Sequence, residues 1–241
     1  MAGASIEDLD FLRFQEEYLP AVIPRDVLAE NVRSITDQLR ALRMLAPDGR
    51  PTAAGLLICG KDPRSWLPGA YVQFVRYPDA DIGDIVQDHK EISGPLADIM
   101  RRMDEVIDAN VAVRADLSGS VQRDRSTYPL IALQELARNA VIHRTYEGTA
   151  APVRLTWFSD RVEIASPGGP YGAVTLESFG AEGLTDYRNP TLGEAAKALG
   201  FIQRFGSGIP RARRALVRNG NPPPEFHVEP TYIHATIRSV P

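Results

Sequence analysis

The chain has 241 residues, of which 44% are hydrophobic and 24% charged, and carries a net charge of −4. That length buries one substantial core or two modest ones, and the acidic balance argues against nucleic-acid binding over the whole surface. A single cysteine, Cys59, excludes an internal disulfide and a cysteine zinc cluster; no apolar run reaches the length of a membrane span, and "MAGASIEDLD" has no leader pattern, so a cytoplasmic protein without a membrane partner is expected.

In chain order, Ile6 to Tyr18 has the pattern of an amphipathic helix, with Glu7 and Asp8 early and Leu19-Pro20 ending it. A second helix is expected from Pro24 to Met44, on the spacing of Val27, Leu28, Val32, Ile35, Leu39, Leu42 and Met44. After the turn "APDGRPT", the segments "AAGLLICG" and "AYVQFVRYP" suggest two short strands. The acidic stretch "PDADIGDIVQDHKEISGP" is the candidate domain boundary.

Beyond it come a long helix from Leu96 to about Asn110, a strand from Val111 to about Ser118, and a helix from Pro129 that Ser126 or Thr127 can cap. Strands "VRLTWF" and "RVEIAS" flank a turn at Ser159-Asp160, and a Gly-rich irregular stretch leads to a helix near "TLGEAAKALG". "GSGI" opens another helix, and "EFHVEPTYIHATIRSV" closes as a hairpin. Helices mixed with mostly antiparallel strands predict a layered α/β sandwich rather than a doubly wound parallel sheet.

"GLLICGKDP" imitates a phosphate-binding loop, with Gly55, Gly60 and Lys61 in register. Its insert is bulky and apolar, Asp62 stands where a metal-binding hydroxyl belongs, and Pro63 stops a following helix. No nucleotide is expected there.

The helix from Pro129 is a better candidate. Leu133, Leu136, Ala137, Ala140 and Val141 form an apolar side, while Glu135, Asn139 and His143 follow one another at i+4 steps on the other. A carboxylate can deprotonate water, and an amide oxygen is a hard ligand suited to magnesium. The strand ending in Pro167-Gly168-Gly169 lets backbone approach a ligand, and Gly206 and Gly208 precede Pro210 at a helix start whose N–H groups suit phosphate oxygens.

This order of features resembles the ATP site of the GHKL superfamily, which holds gyrase B subunits, large heat-shock chaperones, histidine kinases and mismatch-repair ATPases. The phrases "GRPTAAGLLICGKDPRSWLPGAYVQFVRY", "EISGPL", "YPLIALQELARNAVIHRTY", "DRVEIASPGG", "RNP" and "LGFIQRFGSGIPRARRAL" are together similar to bacterial transcriptional regulators with a GHKL-like ATPase module, often mislabelled as RecG-related helicases. The resemblance runs from about Ile6 to the C-terminus. Such proteins usually carry a Schlafen-type AlbA domain before this region and often a winged helix after it, so a short or trimmed member is expected.

The resemblance implies an α/β (α+β) chain: a small helix-helix-strand module at residues 1–87, then a GHKL-like two-layer sandwich with a mostly antiparallel mixed sheet at 88–241. It implies an adenine-nucleotide-binding regulatory module, with ATP and Mg²⁺ as ligands, slow hydrolysis as its activity if any, and room for a homodimer. Glu135 matches the general base, and Asn139 the magnesium ligand. His143, Ser166, Gly168, Gly169, Gly206, Ser207 and Gly208 complete the expected nucleotide contacts. The family's first glycine box has Asp where Ser166 stands, and a hydroxyl there weakens adenine selectivity by roughly 1–2 kcal/mol. Thr145 also replaces an Asp common in relatives. Two other readings are a nucleotide-free dimerisation or partner-binding scaffold, and nucleic-acid binding through Arg204, Arg211, Arg213, Arg214 and Arg218, which the acidic whole disfavours.

Overall fold

The first 66 residues are built from short helices. Ser5 caps a 3-10 turn, Ile6–Asp8, and Asp10 caps α1 (Phe11–Arg13), which passes through a π turn (Phe14–Tyr18) into α2 (Leu19–Val22). The helix expected over Ile6–Tyr18 therefore starts later and runs past Pro20. The Leu19 N–H reaches back to the Phe14 carbonyl, a wider register just ahead of the proline that lets the chain keep turning. The long helix expected from Pro24 to Met44 is instead two, α3 (Arg25–Ala29) and α4 (Ile35–Ala41). Ser34 restarts the chain by accepting from the Asp37 N–H, and Val32 is left 99% exposed.

The strand expected at "AAGLLICG" is a helix, α5 (Ala53–Cys59), with Thr52 accepting from the Gly55 N–H at its start. Gly55 to Cys59 are all buried, so the run is apolar on every side and carries neither period. Its N–H groups are committed: Leu56 donates to Thr52 and Gly60 to Leu56.

The computed structural model describes residues 1–116, 123–202 and 206–240. Six strands form one mixed sheet in the order β2-β1-β5-β6-β8-β7: β1 (Tyr71–Arg76), β2 (Asp88–Ser93), β5 (Val153–Trp157), β6 (Arg161–Pro167), β7 (Glu225–Val228) and β8 (Tyr232–Arg238). β1 runs parallel to β5, with Phe74 opposite Leu155; the other pairings are antiparallel. A separate ribbon pairs β3 (Val113–Asp116) with β4 (Arg123–Ser126); the end of the strand expected to reach Ser118 lies outside the described residues.

Period-two alternation turns Val162, Ile164 and Ser166 of β6 to one face, with Val153, Leu155 and Trp157 of β5 beside them. Against that face pack α6 (Leu96–Asn110) and α7 (Leu130–His143), joined by α8 (Pro190–Ala198) and α9 (Gly208–Asn219), which makes a two-layer α/β sandwich. Pro129, not Ser126 or Thr127, occupies the N-cap of α7; those two hydroxyls donate to the Tyr128 and Ala112 carbonyls.

One hydrophobic cluster takes in Leu9, Phe14 and Leu56 together with Leu133, Leu155 and Ile237. The expected division between residues 87 and 88 falls in the connection joining β1 and β2, neighbours in the same sheet. Arg144, 1% exposed, ties the two sides: its guanidinium donates to the carbonyls of Gly69, Thr145 and Ala151. Among the described residues no helix is long and apolar enough to cross a membrane.

Candidate functional site

The site lies where α7 meets the start of α9. The apolar side of α7 is buried as its spacing requires, with Leu133 and Ala132 fully enclosed. The polar stripe is not a solvated face. Glu135 is only 6% exposed, and Arg211 in the first turn of α9 donates from NH1 to its Oε1 at 2.8 Å. A buried carboxylate needs such a counter-charge, because removing it from water unpaired costs several kcal/mol.

One turn on, Asn139 faces Gly208. A Cβ built on Gly208 would stand 2.6 Å from Asn139 Nδ2 and 3.2 Å from Glu135 Oε2. Only a residue without a side chain lets α9 begin this close to the two polar groups of α7. Ser207 holds the N-cap of α9, and Pro210 brings no N–H of its own, so the N–H groups of the first turn precede any helical acceptor. Gly206, at φ +77, turns the chain into this helix with Thr185 packed against its bare Cα.

From Asn139 a cavity of about 150 Å³ runs toward β6. Its walls are mostly apolar, with Leu136, Ala140, Ile164, Phe179, Phe226 and Ile233 prominent, and Asn139, His143, Ser166, Asp186 and Tyr187 supply polar atoms. A void of that size and lining suits one flat aromatic group. His143 lies with its ring 4.9 Å from that of Tyr187, and burial pushes its imidazole down to about 4, so it is neutral at ordinary pH.

Ser166 is the third inward position of β6, 7% exposed, and its hydroxyl donates to the Ala140 carbonyl at 2.9 Å. With the proton spent, the oxygen offers the cavity lone pairs only.

Gly169 and Gly208 also reach the cavity wall, whereas Gly168, Ser207 and Glu135 do not. Gly168, at φ +96, has its open side filled by Thr145, whose N–H donates to Pro167. Gly168 and Gly169 in turn donate to Thr231 and Pro230, so this turn is tied to the start of β8.

The irregular stretch 170–187 was legible only as Gly-rich, yet it closes one side of the cavity through Tyr171, Val174, Phe179, Leu184 and Asp186. Asp186 clips it into a loop by accepting from the Ala173 and Tyr187 N–H groups, which hold its carboxyl below the usual range. Arg213 NH1 donates to the Gly180 carbonyl at 2.9 Å, and Phe179 stands edge-on to Phe226 at 5.3 Å. Three of the four α9 arginines are thus engaged within the chain, Arg211 with Glu135, Arg213 with Gly180 and Arg214 with Glu182 at 3.5 Å, while Arg218 is exposed in the last turn. Arg204, the fifth of that expected cluster, lies outside the described residues.

Among the described residues no group of three or more His, Cys, Asp or Glu side chains could hold a metal ion, and Asn139 is the residue expected to hold magnesium. A site with one protein oxygen suits Mg²⁺, which keeps several waters and shares its ligands with phosphate.

Residues 150–237 match the family model HATPase_c_4, described as "Putative ATP-dependent DNA helicase recG C-terminal". The match spans β5 to β8 and includes Ser166, Gly168, Gly169, Gly206, Ser207 and Gly208; Glu135, Asn139 and His143 precede it. No curated protein matches the chain. Its fold is similar to that of the DIP2311 protein from Corynebacterium diphtheriae, with a TM-score of 0.73 at 19% identity over 100% of this chain. The chain spans about half, 47%, of that protein's length.

Proposed function

We propose that this chain is an adenine-nucleotide-binding regulatory module of GHKL type, part of a bacterial transcriptional regulator, with slow magnesium-dependent ATP hydrolysis. The observation that carries the reading is the approach of Gly208 to Asn139 and Glu135, with a ring-sized cavity opening beside it. The base fits the cavity, and the phosphates fit the start of α9, where first-turn N–H groups and the helix dipole favour anions.

Ser166 supports adenine over guanine. Its oxygen can only accept, so it suits an exocyclic amino group and opposes a carbonyl oxygen at the same place. Asn139 would hold Mg²⁺, and the ion when bound supplies positive charge against the phosphate oxygens.

Hydrolysis needs a base, and Glu135 is the buried carboxylate in place. Water oxygen bonds to the terminal phosphorus as the bridging P–O bond breaks, the diphosphate leaves with the electron pair, and the water proton passes to Glu135.

Calorimetric titration of ATP, ADP and GTP with magnesium tests the reading. ATP is expected to bind about tenfold or more tightly than GTP, a difference of about 1.4 kcal/mol. A wild-type protein giving neither heat nor thermal shift at millimolar nucleotide would leave the second reading, a partner-binding scaffold. That reading is favoured by the Arg211 pairing of Glu135 and by a serine standing where the family has an aspartate.

A further inference from the structure

Among the described residues the Arg211–Glu135 ion pair is the strongly charged contact at this site, and the nucleotide reading gives Arg211 no task. Glu135 shows 8% of its side chain to solvent and Arg211 33%, so the acid is enclosed while part of the guanidinium remains open. Among the described residues, Arg211 makes one side-chain hydrogen bond, from NH1 to Glu135. Arg211 follows Gly208 by one turn of α9, so it flanks the helix start at which phosphates are proposed to bind.

While the pair holds, the guanidinium occupies the carboxylate oxygen that would have to meet the water. A terminal phosphate carries more charge than a carboxylate and matches the planar fork of arginine.

We propose that Arg211 is a terminal-phosphate sensor: it neutralises Glu135 in the empty protein and transfers to the terminal phosphate of a bound nucleoside triphosphate, releasing Glu135 to accept a proton from water. The inference rests on the nucleotide reading and adds to it a residue that distinguishes triphosphate from diphosphate. In the diphosphate state Arg211 stays on Glu135 and the base stays blocked. Arg211 touches substrate in this scheme, and the Glu135 oxygens are open to water only after Arg211 has left.

Titration of ATP-magnesium and ADP-magnesium into wild type, Arg211→Met, Glu135→Gln and the double variant tests this. Arg211→Met should lose about tenfold or more in ATP affinity and leave ADP affinity within about twofold. Glu135→Gln should gain ATP affinity over ADP, because the arginine is already free, and that gain should vanish in the double variant. The double variant removes both charges, so neither is left buried alone; if Arg211→Met does not fold, comparing the double variant with Glu135→Gln asks the same question. An unchanged ATP-to-ADP ratio on loss of Arg211, in either background, overturns the proposal while leaving nucleotide binding intact. Wild type that binds neither nucleotide overturns both.

Discussion

Gly208 and Asn139, 69 positions apart in the sequence, meet so closely that a methyl group on Gly208 would lie 2.6 Å from the Asn139 amide nitrogen. The contact joins α7 to α9, and the atoms a methyl group would meet are the side-chain ends of Asn139 and Glu135. Gly208→Ala should push α9 away from α7 or turn the Asn139 amide aside. We expect a stability loss of about 1–3 kcal/mol and a larger loss of nucleotide affinity. Calorimetry beside thermal melting checks this; an alanine variant that binds ATP like wild type would mean that the approach is packing without a role in binding.

Glu135 and Asn139 should fail differently. Asn139→Ala removes the proposed magnesium ligand, so magnesium-dependent binding should weaken by about 1–3 kcal/mol. Glu135→Ala should keep nucleotide bound while hydrolysis falls by a factor on the order of 10²–10⁴. Because Glu135 is buried and paired, its loss should also cost about 1–3 kcal/mol of stability, less than a fully buried pair would, since Arg211 can turn to water. Leu133→Ala, at 0% exposure, should cost about 2–5 kcal/mol and serves as the packing control.

His143 sets an acid limit. Folded protein keeps the imidazole neutral down to about pH 4, whereas the unfolded chain protonates it near 6.5. Between those values the unfolded state binds more protons, so stability falls as pH drops through the window, by up to about 3 kcal/mol. Urea midpoints from pH 7 to 4 should fall less steeply in His143→Gln; equal slopes in the two proteins would remove His143 as the cause.

Arg213 holds residues 170–187 over the cavity through Gly180, so Arg213→Ala should speed proteolysis within that stretch without unfolding the core. The same engagement, with the net charge of −4, predicts weak binding of duplex DNA. A submicromolar affinity that falls steeply with salt and disappears on reversing Arg213 and Arg214 would contradict this.

Lys61 follows a helix whose N–H groups are already used, and it is exposed. Lys61→Ala should leave nucleotide affinity within about twofold. A tenfold loss, about 1.4 kcal/mol, would restore the phosphate-loop reading of "GLLICGKDP".

Local pattern by itself determined several elements of this protein. The helices over Leu96–Asn110, Leu130–His143 and Gly208–Asn219, the strands around Ser159-Asp160 and the closing hairpin all carry a period of 3.6 or 2 with turn residues at their ends. The stripe Glu135, Asn139, His143 follows from the same spacing. Where the pattern is apolar on all sides, as at Gly55 to Cys59, neither period is present, and a run that suggests a strand forms a helix. Only the tertiary structure decided what each face meets. Arg211 reaches Glu135 across 76 positions, β1 joins β5 in parallel across the expected boundary, and residues 170–187 close the cavity without regular structure. Side-chain periodicity says which face of an element turns inward, but a polar face can be buried whenever a counter-charge arrives from far along the chain. Here that counter-charge is one arginine, and it turns a stripe that spacing alone would leave in solvent into an enclosed, paired site.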